Sequence, residues 1–341
     1  MELIQLLTIS LGIFFLINYF FKKYNLFLDD KKSSFHKNFI EKKSNPPFTG
    51  GMFILLSLIF LLPNTEINLK IFIFLIFLSG FLSDIGILKS ANLRFLIQIV
   101  FVFLAVTILN KYVQSVKLEF LDSLLTNNIF RLLFTVFCIL IVINGTNFFD
   151  GLNTLVIGYY LIILICISIF YKNSNFFLVS HQTITYFSMI LLSLLILNSL
   201  NLLYLGDNGS YLIAFFVSII LIDLATNLKS LSPYYIANLL WYPAYENLFS
   251  IIRKTKNKKS PLKPDNLHLH QLIYKFVKNK LSLNSKILNT FSGIIINIFN
   301  LGILILASQN YTNSKIQIIL LLFSLTVYNL IYMKLKVKLQ K

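Results

Sequence analysis

The chain has 341 residues, of which 57% are hydrophobic and only 13% are charged, and its formal net charge is +17. Its long runs of Phe, Ile and Leu exclude an ordinary soluble protein and predict an integral membrane protein. The basic residues border apolar runs, where they can meet anionic lipid headgroups, so the positive charge does not indicate nucleic-acid binding. Cys138 and Cys166 lie inside apolar runs without CxxC spacing and are interpreted as small hydrophobic side chains.

Apolar runs follow one another along the whole chain. A bilayer core of about 30 Å needs roughly 20 apolar residues per helix, and the sequence supplies enough for about ten or eleven crossings. We therefore predict an all-α fold, a polytopic transmembrane helical bundle that forms one domain over residues 1–341. The predicted spans are 4–21, 50–63, 68–83, 94–110, 128–144, 153–171, 182–198, 209–227, 233–252, 287–307 and 315–333.

Lys and Arg are unevenly distributed between the two sets of connecting segments. If the N-terminus lies outside, most of the 30 Lys and Arg fall in the cytoplasm, as the positive-inside rule expects. An odd number of spans then places the C-terminus in the cytoplasm as well. We predict a multi-pass protein of the inner (cytoplasmic) cell membrane whose active site faces the cytoplasm. The predicted active-site segments are 22–49, 83–94, 144–152, 198–208 and 253–286.

The first polar cluster is SDIGILKSANLRFLIQ, residues 83–98. Asp84 lies at a membrane edge, where a carboxylate is costly unless it has a partner or a function. Arg94 and Gln98 are four residues apart and share a helix face. The alternative is a structural pairing of Asp84 with Lys89 or Arg94.

The second cluster is NGTNFFDGLNTL, residues 144–155, in which Asn144, Asn147, Asp150 and Asn153 recur at three-residue intervals. On a helix this spacing places them on neighbouring positions at the end of a span. Their amides and carboxylate can ligate Mg²⁺ or hydrogen-bond a sugar or a base. An ordinary helix-to-loop turn explains the composition equally well.

The third cluster is YLGDNGS, residues 204–210, where Asp207 lies between glycines. A carboxylate flanked by small residues suits a Mg²⁺-diphosphate site, because phosphate and metal can approach the backbone closely. The alternative is a turn in which Asp207 or Ser210 caps the following helix.

The fourth cluster surrounds PDNLHLHQ within the basic segment 253–286. If this stretch is extended, His268 and His270 point to the same side and can both donate to phosphate oxygens. A zinc pair is disfavoured, because no thiolate or further His is in local reach. Some of the basic residues, such as Lys256 and Lys258, are expected to face lipid headgroups.

In this order, the clusters resemble the polyprenyl-phosphate N-acetylhexosamine-1-phosphate transferase family, the bacterial undecaprenyl-phosphate sugar-1-phosphate transferases of glycosyltransferase family 4. The resemblance runs over roughly residues 40–275. The matching elements are Pro47 with Gly50 and Gly51, then Ser83, Asp84, Arg94 and Gln98, then Asn144, Asn147, Asp150 and Gly151, then Gly206 to Ser210, and finally Pro264, Asp265, His268 and His270.

The resemblance implies a Mg²⁺-dependent reaction, with Mn²⁺ as an alternative metal. The phosphate of a membrane polyprenyl phosphate attacks the β-phosphorus of a UDP-N-acetylamino sugar and releases UMP. The product, a polyprenyl-diphosphate-linked sugar, would begin a surface glycan such as lipopolysaccharide O-antigen or teichoic acid. The implied partners are the lipid, the UDP-sugar and the membrane, without nucleic acid, and a homodimer is left open.

The resemblance also implies roles for individual residues. The metal ligands would be Asp207, Asn147 and Asp84. The catalytic residues would be Asp84, Asp150, His268 and His270. The substrate-binding residues would be Asn144, Asn147, Gly151, Asn153, Tyr204, Arg253 and Arg94, with Asn153 and Tyr204 beside the uracil.

The chain departs from the family pattern at four positions. Ser83 replaces the first Asp of an Asp-Asp pair, which some mechanisms use as a base. A phosphate monoester has its second pKa near 6 and is mostly dianionic at neutral pH, so we expect direct attack without that base. Asn153 stands where an Asp is common, Gln271 where a third His is common, and Phe48 where a basic residue is usual.

Two other functional classes are open. A secondary transporter would carry polar groups near mid-span on several helices. Asp223 is such a residue, but it lies late in its span, where a structural or oligomer contact is the simpler interpretation. An inactive family member kept as a membrane scaffold is suggested by Ser83, although the other motif residues are present.

Overall fold

The computed structural model describes residues 3–24, 46–61, 66–172, 177–258, 260 and 265–340. In that part of the chain every regular element is an α-helix, which confirms the predicted all-α fold. The helices are α1 (Leu3–Lys23), α2 (Gly50–Leu61), α3 (Ile67–Asp84), α4 (Ala91–Leu109), α5 (Glu119–Leu125), α6 (Asn128–Phe149), α7 (Leu155–Tyr171), α8 (His181–Ser199), α9 (Gly206–Asn227), α10 (Pro233–Leu239), α11 (Trp241–Lys256), α12 (Leu269–Lys280), α13 (Ser285–Gln309) and α14 (Ser314–Gln340).

Seven of the described helices are long and apolar enough to cross a membrane: α3, α4, α6, α8, α9, α13 and α14. Shorter apolar helices lie at Leu11–Phe21, Gly50–Ile59 and Leu155–Tyr171. The outer helices also expose large apolar side chains, such as Ile319 and Phe323 on α14, as expected for a surface that contacts lipid. The chain is therefore a polytopic helical membrane protein, and its orientation stays a prediction.

The predicted span 233–252 is wrong as a single helix. The chain forms α10, breaks at Leu240, and continues as α11. Pro233 occupies the first turn of α10 and Pro243 the first turn of α11, where the missing N–H of proline is tolerated. The break separates an apolar half from a half that buries several polar side chains.

Other predicted boundaries also shift. The predicted 144–152 segment is mostly helical, because α6 continues to Phe149, and Asp207 lies in the first turn of α9 rather than in a loop. Parts of the predicted segments lie outside the described residues, namely 25–45, 62–63, 259 and 261–264, the last of which includes Pro264.

Helix α9 is the centre of the bundle. Its residues from Gly206 to Leu224 are all buried, and it packs against α2, α3 and α6. A helix that is apolar on all sides, as α9 is between Leu212 and Leu221, belongs in the interior of a bundle. This packing brings the first turn of α9, with Asp207, against the ends of neighbouring helices.

Glycines allow α2 and α3 to touch the backbone of α9. A Cβ on Gly80 would lie 2.5 Å from the Cα of Asn208, and a Cβ on Gly51 would lie 2.4 Å from the amide nitrogen of Gly209. No side chain fits at such distances, so the three backbones meet directly. The start of α9 is thereby held in a fixed position.

Candidate active site

Four side chains from different helices converge at the start of α9, and we call them the Asp207 cluster: Asp207, Ser83, Arg94 and Asn147. The Ser83 hydroxyl donates to Asp207 Oδ2 at 2.8 Å, and Arg94 Nη1 donates to the same oxygen at 3.0 Å. Asn147 Nδ2 donates to Asp207 Oδ1 at 2.6 Å. The side chains of Asp207 and Arg94 are 10% and 27% exposed.

Asp84 holds the first turn of α9. Its carboxylate accepts hydrogen bonds from the backbone N–H of Asp207 and of Asn208, both at 3.0 Å, and from Asn208 Nδ2 at 2.7 Å. The first N–H groups of a helix lack partners within the helix, and a carboxylate there also complements the helix dipole. Gly206, just before Asp207, has φ +78°, which glycine adopts without strain. Asp84 therefore fixes the position of Asp207.

Asn144 links α4 and α6 one turn before Asn147. Its Nδ2 donates to Gln98 Oε1 at 3.1 Å and to the Leu140 carbonyl at 2.9 Å. Gln98 is buried and shares its face of α4 with Arg94, as the spacing of four predicted. This contact holds the Arg94 face of α4 against the Asn147 face of α6.

A second group of charged side chains surrounds His268, at the start of α12. His268 Nδ1 lies 2.8 Å from Glu246 Oε1, and His268 Nε2 lies 3.3 Å from Asp265 Oδ1. Arg253 donates to both oxygens of Asp265. Burial alone would raise the pKa of Asp265, but the hydrogen bond from Arg253 and the nearby positive charges lower it below its usual value. Asp265 is therefore an ionised partner of Arg253.

His270 joins this group to the end of α6. The rings of His268 and His270 are nearly parallel, with centroids 5.7 Å apart. A Cβ on Gly151 would lie 2.5 Å from His270 Nε2, so a larger residue at this position would displace the ring. Gly151 follows Asp150, the C-cap residue of α6. The structure thus brings the predicted histidine segment against the predicted Asp-Gly pair.

Residues 67–225 match the family model described as glycosyl transferase family 4. This segment is similar to glycosyl transferase family 4. This confirms the predicted family, and the matched segment contains the whole Asp207 cluster. The second group lies beyond it, and we call it the histidine group: Glu246, Arg253, Lys254, Asp265, His268 and His270. No curated protein matches the chain. At the level of the family, the protein is a membrane transferase that acts on a sugar phosphate and a polyprenyl phosphate.

Asn153 and Tyr204, the predicted uracil contacts of this transferase, take part in local structure. Asn153 is buried, its Nδ2 donates to Asn201 Oδ1 at 2.7 Å, and its backbone N–H donates to Asn289 Oδ1 at 2.6 Å. Tyr204 is half-buried, with its ring 5.8 Å from that of Phe48. Their contact with a base stays a prediction, and the Asn153 amide would have to leave Asn201 to make it.

Two residues of the histidine group were missed by the sequence analysis. Glu246 is a buried carboxylate that contacts His268, and it lay inside a predicted apolar span, where any charged side chain is a signal. Lys254 is almost fully buried, with its ammonium 5.3 Å from the centre of the Phe148 ring. Burial lowers its pKa. For Lys254, which lies at the start of a run of basic residues, the sequence gave no comparable indication of burial.

The Asp207 cluster fits a magnesium ion. The described residues contain no group of three or more His, Cys, Asp or Glu side chains arranged to hold a metal. Mg²⁺ does not need one, because proteins bind it through one or two carboxylates together with water and substrate phosphates. Asp207 with Asn147 supplies such an oxygen set. Asp84 fits less well, because both its oxygens accept bonds from backbone N–H groups in the first turn of α9, whereas both oxygens of Asp207 accept bonds from side chains.

Proposed function

We propose that the protein transfers an N-acetylamino-sugar 1-phosphate from a UDP-sugar to a polyprenyl phosphate such as undecaprenyl phosphate, releasing UMP. The observation that carries this proposal is the convergence of Ser83, Arg94 and Asn147 on the carboxylate of Asp207, whose side chain is 10% exposed, within a segment that matches glycosyl transferase family 4. The cluster combines a carboxylate, a guanidinium and an amide, the groups that bind a diphosphate and its metal.

The reaction is a displacement at phosphorus. An oxygen of the lipid phosphate attacks the β-phosphorus of the UDP-sugar, a new P–O–P bond forms, and the bond to the α-phosphate breaks with its electrons leaving on UMP. The attacking phosphate is mostly dianionic at neutral pH, because its second pKa is near 6. No base is therefore required, which agrees with a hydroxyl, Ser83, beside Asp207.

The side chains of the Asp207 cluster would have separate roles in binding the metal and the diphosphate. Asp207 and Asn147 would hold Mg²⁺, which when bound reduces the repulsion between the diphosphate and the anionic nucleophile. Arg94 lies beside Asp207 with part of its side chain exposed, where its N–H groups can donate to a diphosphate oxygen. Asp84 would act by holding the first turn of α9 rather than as a metal ligand.

Residues outside the Asp207 cluster would supply further donors to the negatively charged phosphates. Lys254 and His270 lie next to residues of the α6 end, Phe148 and Gly151, and add donors there. Developing negative charge on the transferring phosphate is stabilised by such preorganised donors. Asp150, at the end of α6, would bind the nucleotide part of the donor together with Asn144 and Gly151.

The location of the reaction also belongs to this proposal. The positive-inside rule favours an active site that faces the cytoplasm, where a UDP-sugar is present. The exposed apolar faces of the outer helices provide a surface for the prenyl tail. The product would begin a cell-surface glycan such as O-antigen or teichoic acid.

The test is UMP release by purified protein supplied with undecaprenyl phosphate, Mg²⁺ and a panel of UDP-N-acetylamino sugars, with the lipid product identified by mass. We expect turnover with at least one sugar, loss of turnover on adding EDTA, and recovery with Mg²⁺ or Mn²⁺. Glu119→Gln, a change at an exposed position of α5, is the control and should leave turnover unchanged. Folded protein without turnover on any donor would instead favour the inactive scaffold.

A further inference from the structure

Glu246 is a buried charged side chain to which neither the family match nor the sequence motifs assign a role. It lies on α11, is 1% exposed, and belongs to a region beyond residues 67–225. One carboxylate oxygen contacts His268 Nδ1 at 2.8 Å, and the other accepts a hydrogen bond from the Tyr328 hydroxyl at 2.8 Å. Burying a carboxylate is costly unless it is paired, so its two partners are what keep it in place.

The contacts of Glu246 continue to the loop before α12. His268 reaches Asp265 through its other ring nitrogen, and Asp265 is paired with Arg253. Both nitrogens of His268 are therefore occupied by carboxylates, which leaves His268 without a ring nitrogen for a substrate phosphate. Its parallel neighbour His270 is the ring that lies against Gly151.

We propose that Glu246 is a positioning residue for this transferase. One carboxylate oxygen fixes the ring of His268, and Tyr328 holds the other. The ring of His268 in turn fixes the parallel ring of His270, which lies beside Gly151, just after the end of α6. The substrate phosphate is thus met by His270, while His268 acts through it. This inference rests on the proposed function and replaces the equal roles that the sequence predicted for the two histidines.

The structure supplies a matched control for Tyr328. Tyr245 on α11 bonds through its hydroxyl to Asn329 on α14, at 3.0 Å from Asn329 Oδ1. This pair joins the same two helices as Glu246 and Tyr328. Tyr245→Phe therefore removes a hydroxyl from the same helix interface without touching the Glu246 carboxylate.

The kinetic experiment compares Glu246→Gln, Tyr328→Phe and Tyr245→Phe in the UMP-release assay. We expect kcat to fall about tenfold to a hundredfold in Glu246→Gln while the KM for the UDP-sugar changes less than about twofold, because a displaced His270 would affect the transferring phosphate more than donor binding. Tyr328→Phe should lose about threefold, and Tyr245→Phe should keep its kcat. Equal losses in the two tyrosine variants would mean that only helix packing matters.

A double-mutant cycle separates positioning from general destabilisation. If Glu246 acts through His268, adding Glu246→Gln to His268→Asn should lower kcat no further than His268→Asn alone, since residues that act as a unit are not additive. Additive losses, or full kcat in Glu246→Gln, would overturn the proposal.

A second measurement does not depend on turnover. The sequence has only four histidines, so ¹⁵N-histidine spectra of the full chain can be assigned with the His268→Asn variant. We expect the Nδ1 signal of His268 to shift in Glu246→Gln and to stay in place in Tyr245→Phe. Wild-type protein without turnover would refute the proposed function alone, whereas an unshifted His268 signal would refute the role of Glu246.

Discussion

The two ends of α9 each carry a buried carboxylate, and they are built differently. Asp207 and Asp223 are separated by about 24 Å along the helix axis at 1.5 Å per residue. Asp207 lies in the first turn, where the helix dipole favours a negative charge, and Asp223 lies in the last turns, where it does not. Asp223 is 0% exposed and bonded to Lys111, to Asn227 and to the Leu178 N–H, at 2.6, 3.0 and 2.7 Å.

This difference distinguishes Asp223, a carboxylate with a structural role, from Asp207, a candidate for substrate binding and catalysis. The partners of Asp223 enclose it completely and offset an unfavourable position in the helix. Asp207 has a favourable position of its own, yet it also accepts hydrogen bonds from side chains of α3, α4 and α6, and its side chain keeps 10% exposure. A carboxylate that has more polar partners than its stability requires, and that is not fully enclosed, indicates a ligand-binding site. This also argues against a transport path through Asp223.

The largest difference in activity is expected between a variant that neutralises Asp207 and one that neutralises Asp223. We expect Asp207→Asn to lower the rate of UMP release by at least about a hundredfold, the size of effect seen when one preorganised charged or polar group is removed from a transition state. Its thermal stability should change little. Activity above a tenth of wild type would remove Asp207 from the site.

A methyl group at Gly206 tests whether the position of Asp207 matters. Gly206→Ala would place a Cβ 2.8 Å from Asp84 Oδ2 at a φ of +78°, a backbone conformation that costs about 1–2 kcal/mol for alanine. We expect about a tenfold loss of rate, because the bond from Asp84 to the first turn of α9 would be displaced.

Gly302→Ala is the matched control for Gly206→Ala. Gly302 lies inside α13, and its Cβ would meet no atom within 4 Å. This change should leave the rate unchanged and stabilise the helix by roughly 0.5–1 kcal/mol. If both variants keep full activity, the Asp84 cap is not needed for catalysis.

At the other end of α9, the expected effect is on stability. Asp223→Asn leaves Lys111, 21% exposed, without its ion-pair partner, and should destabilise the protein by roughly 1–3 kcal/mol in thermal unfolding. The rate per folded molecule should stay within about twofold of wild type. Adding Lys111→Met should recover part of the stability, because the unpaired charge is then removed. Loss of activity in folded Asp223→Asn would contradict the structural role.

The smallest effect is expected from Ser83→Asp. The new carboxylate would lie beside Asp207, in place of a hydroxyl that donates to it. We expect the rate of UMP release to change less than about tenfold if the lipid phosphate attacks directly. General base catalysis typically contributes about a hundredfold or more, so a gain of that size would show that a base had been missing.

Most of the fold was predictable from local sequence patterns. Apolar runs and their lengths depend on neighbouring residues, and they predicted the helices and the shared faces of Asn144 with Asn147 and of Arg94 with Gln98. The break at Leu240 was missed although Pro233 and Pro243 lie in the predicted span, because apolarity was given more weight than proline.

Contacts between distant segments were not predictable from local patterns. Asp84 and Asp207 are 123 residues apart, and nothing near Asp84 indicates that its carboxylate accepts N–H bonds from the start of another helix. The same holds for the link between Glu246 and His268. For Glu246, however, a charge in a predicted apolar span was a signal that a partner exists.

The bond between Glu246 and Tyr328 has a consequence for synthesis of the protein. The two residues are 82 positions apart, and at about 5–20 residues per second the ribosome takes roughly 4–16 s to pass from one to the other. During that time the carboxylate of Glu246 lacks its Tyr328 partner. His268 and His270 are also translated before α14, so all the side chains that Glu246 positions are synthesised before the helix that carries Tyr328.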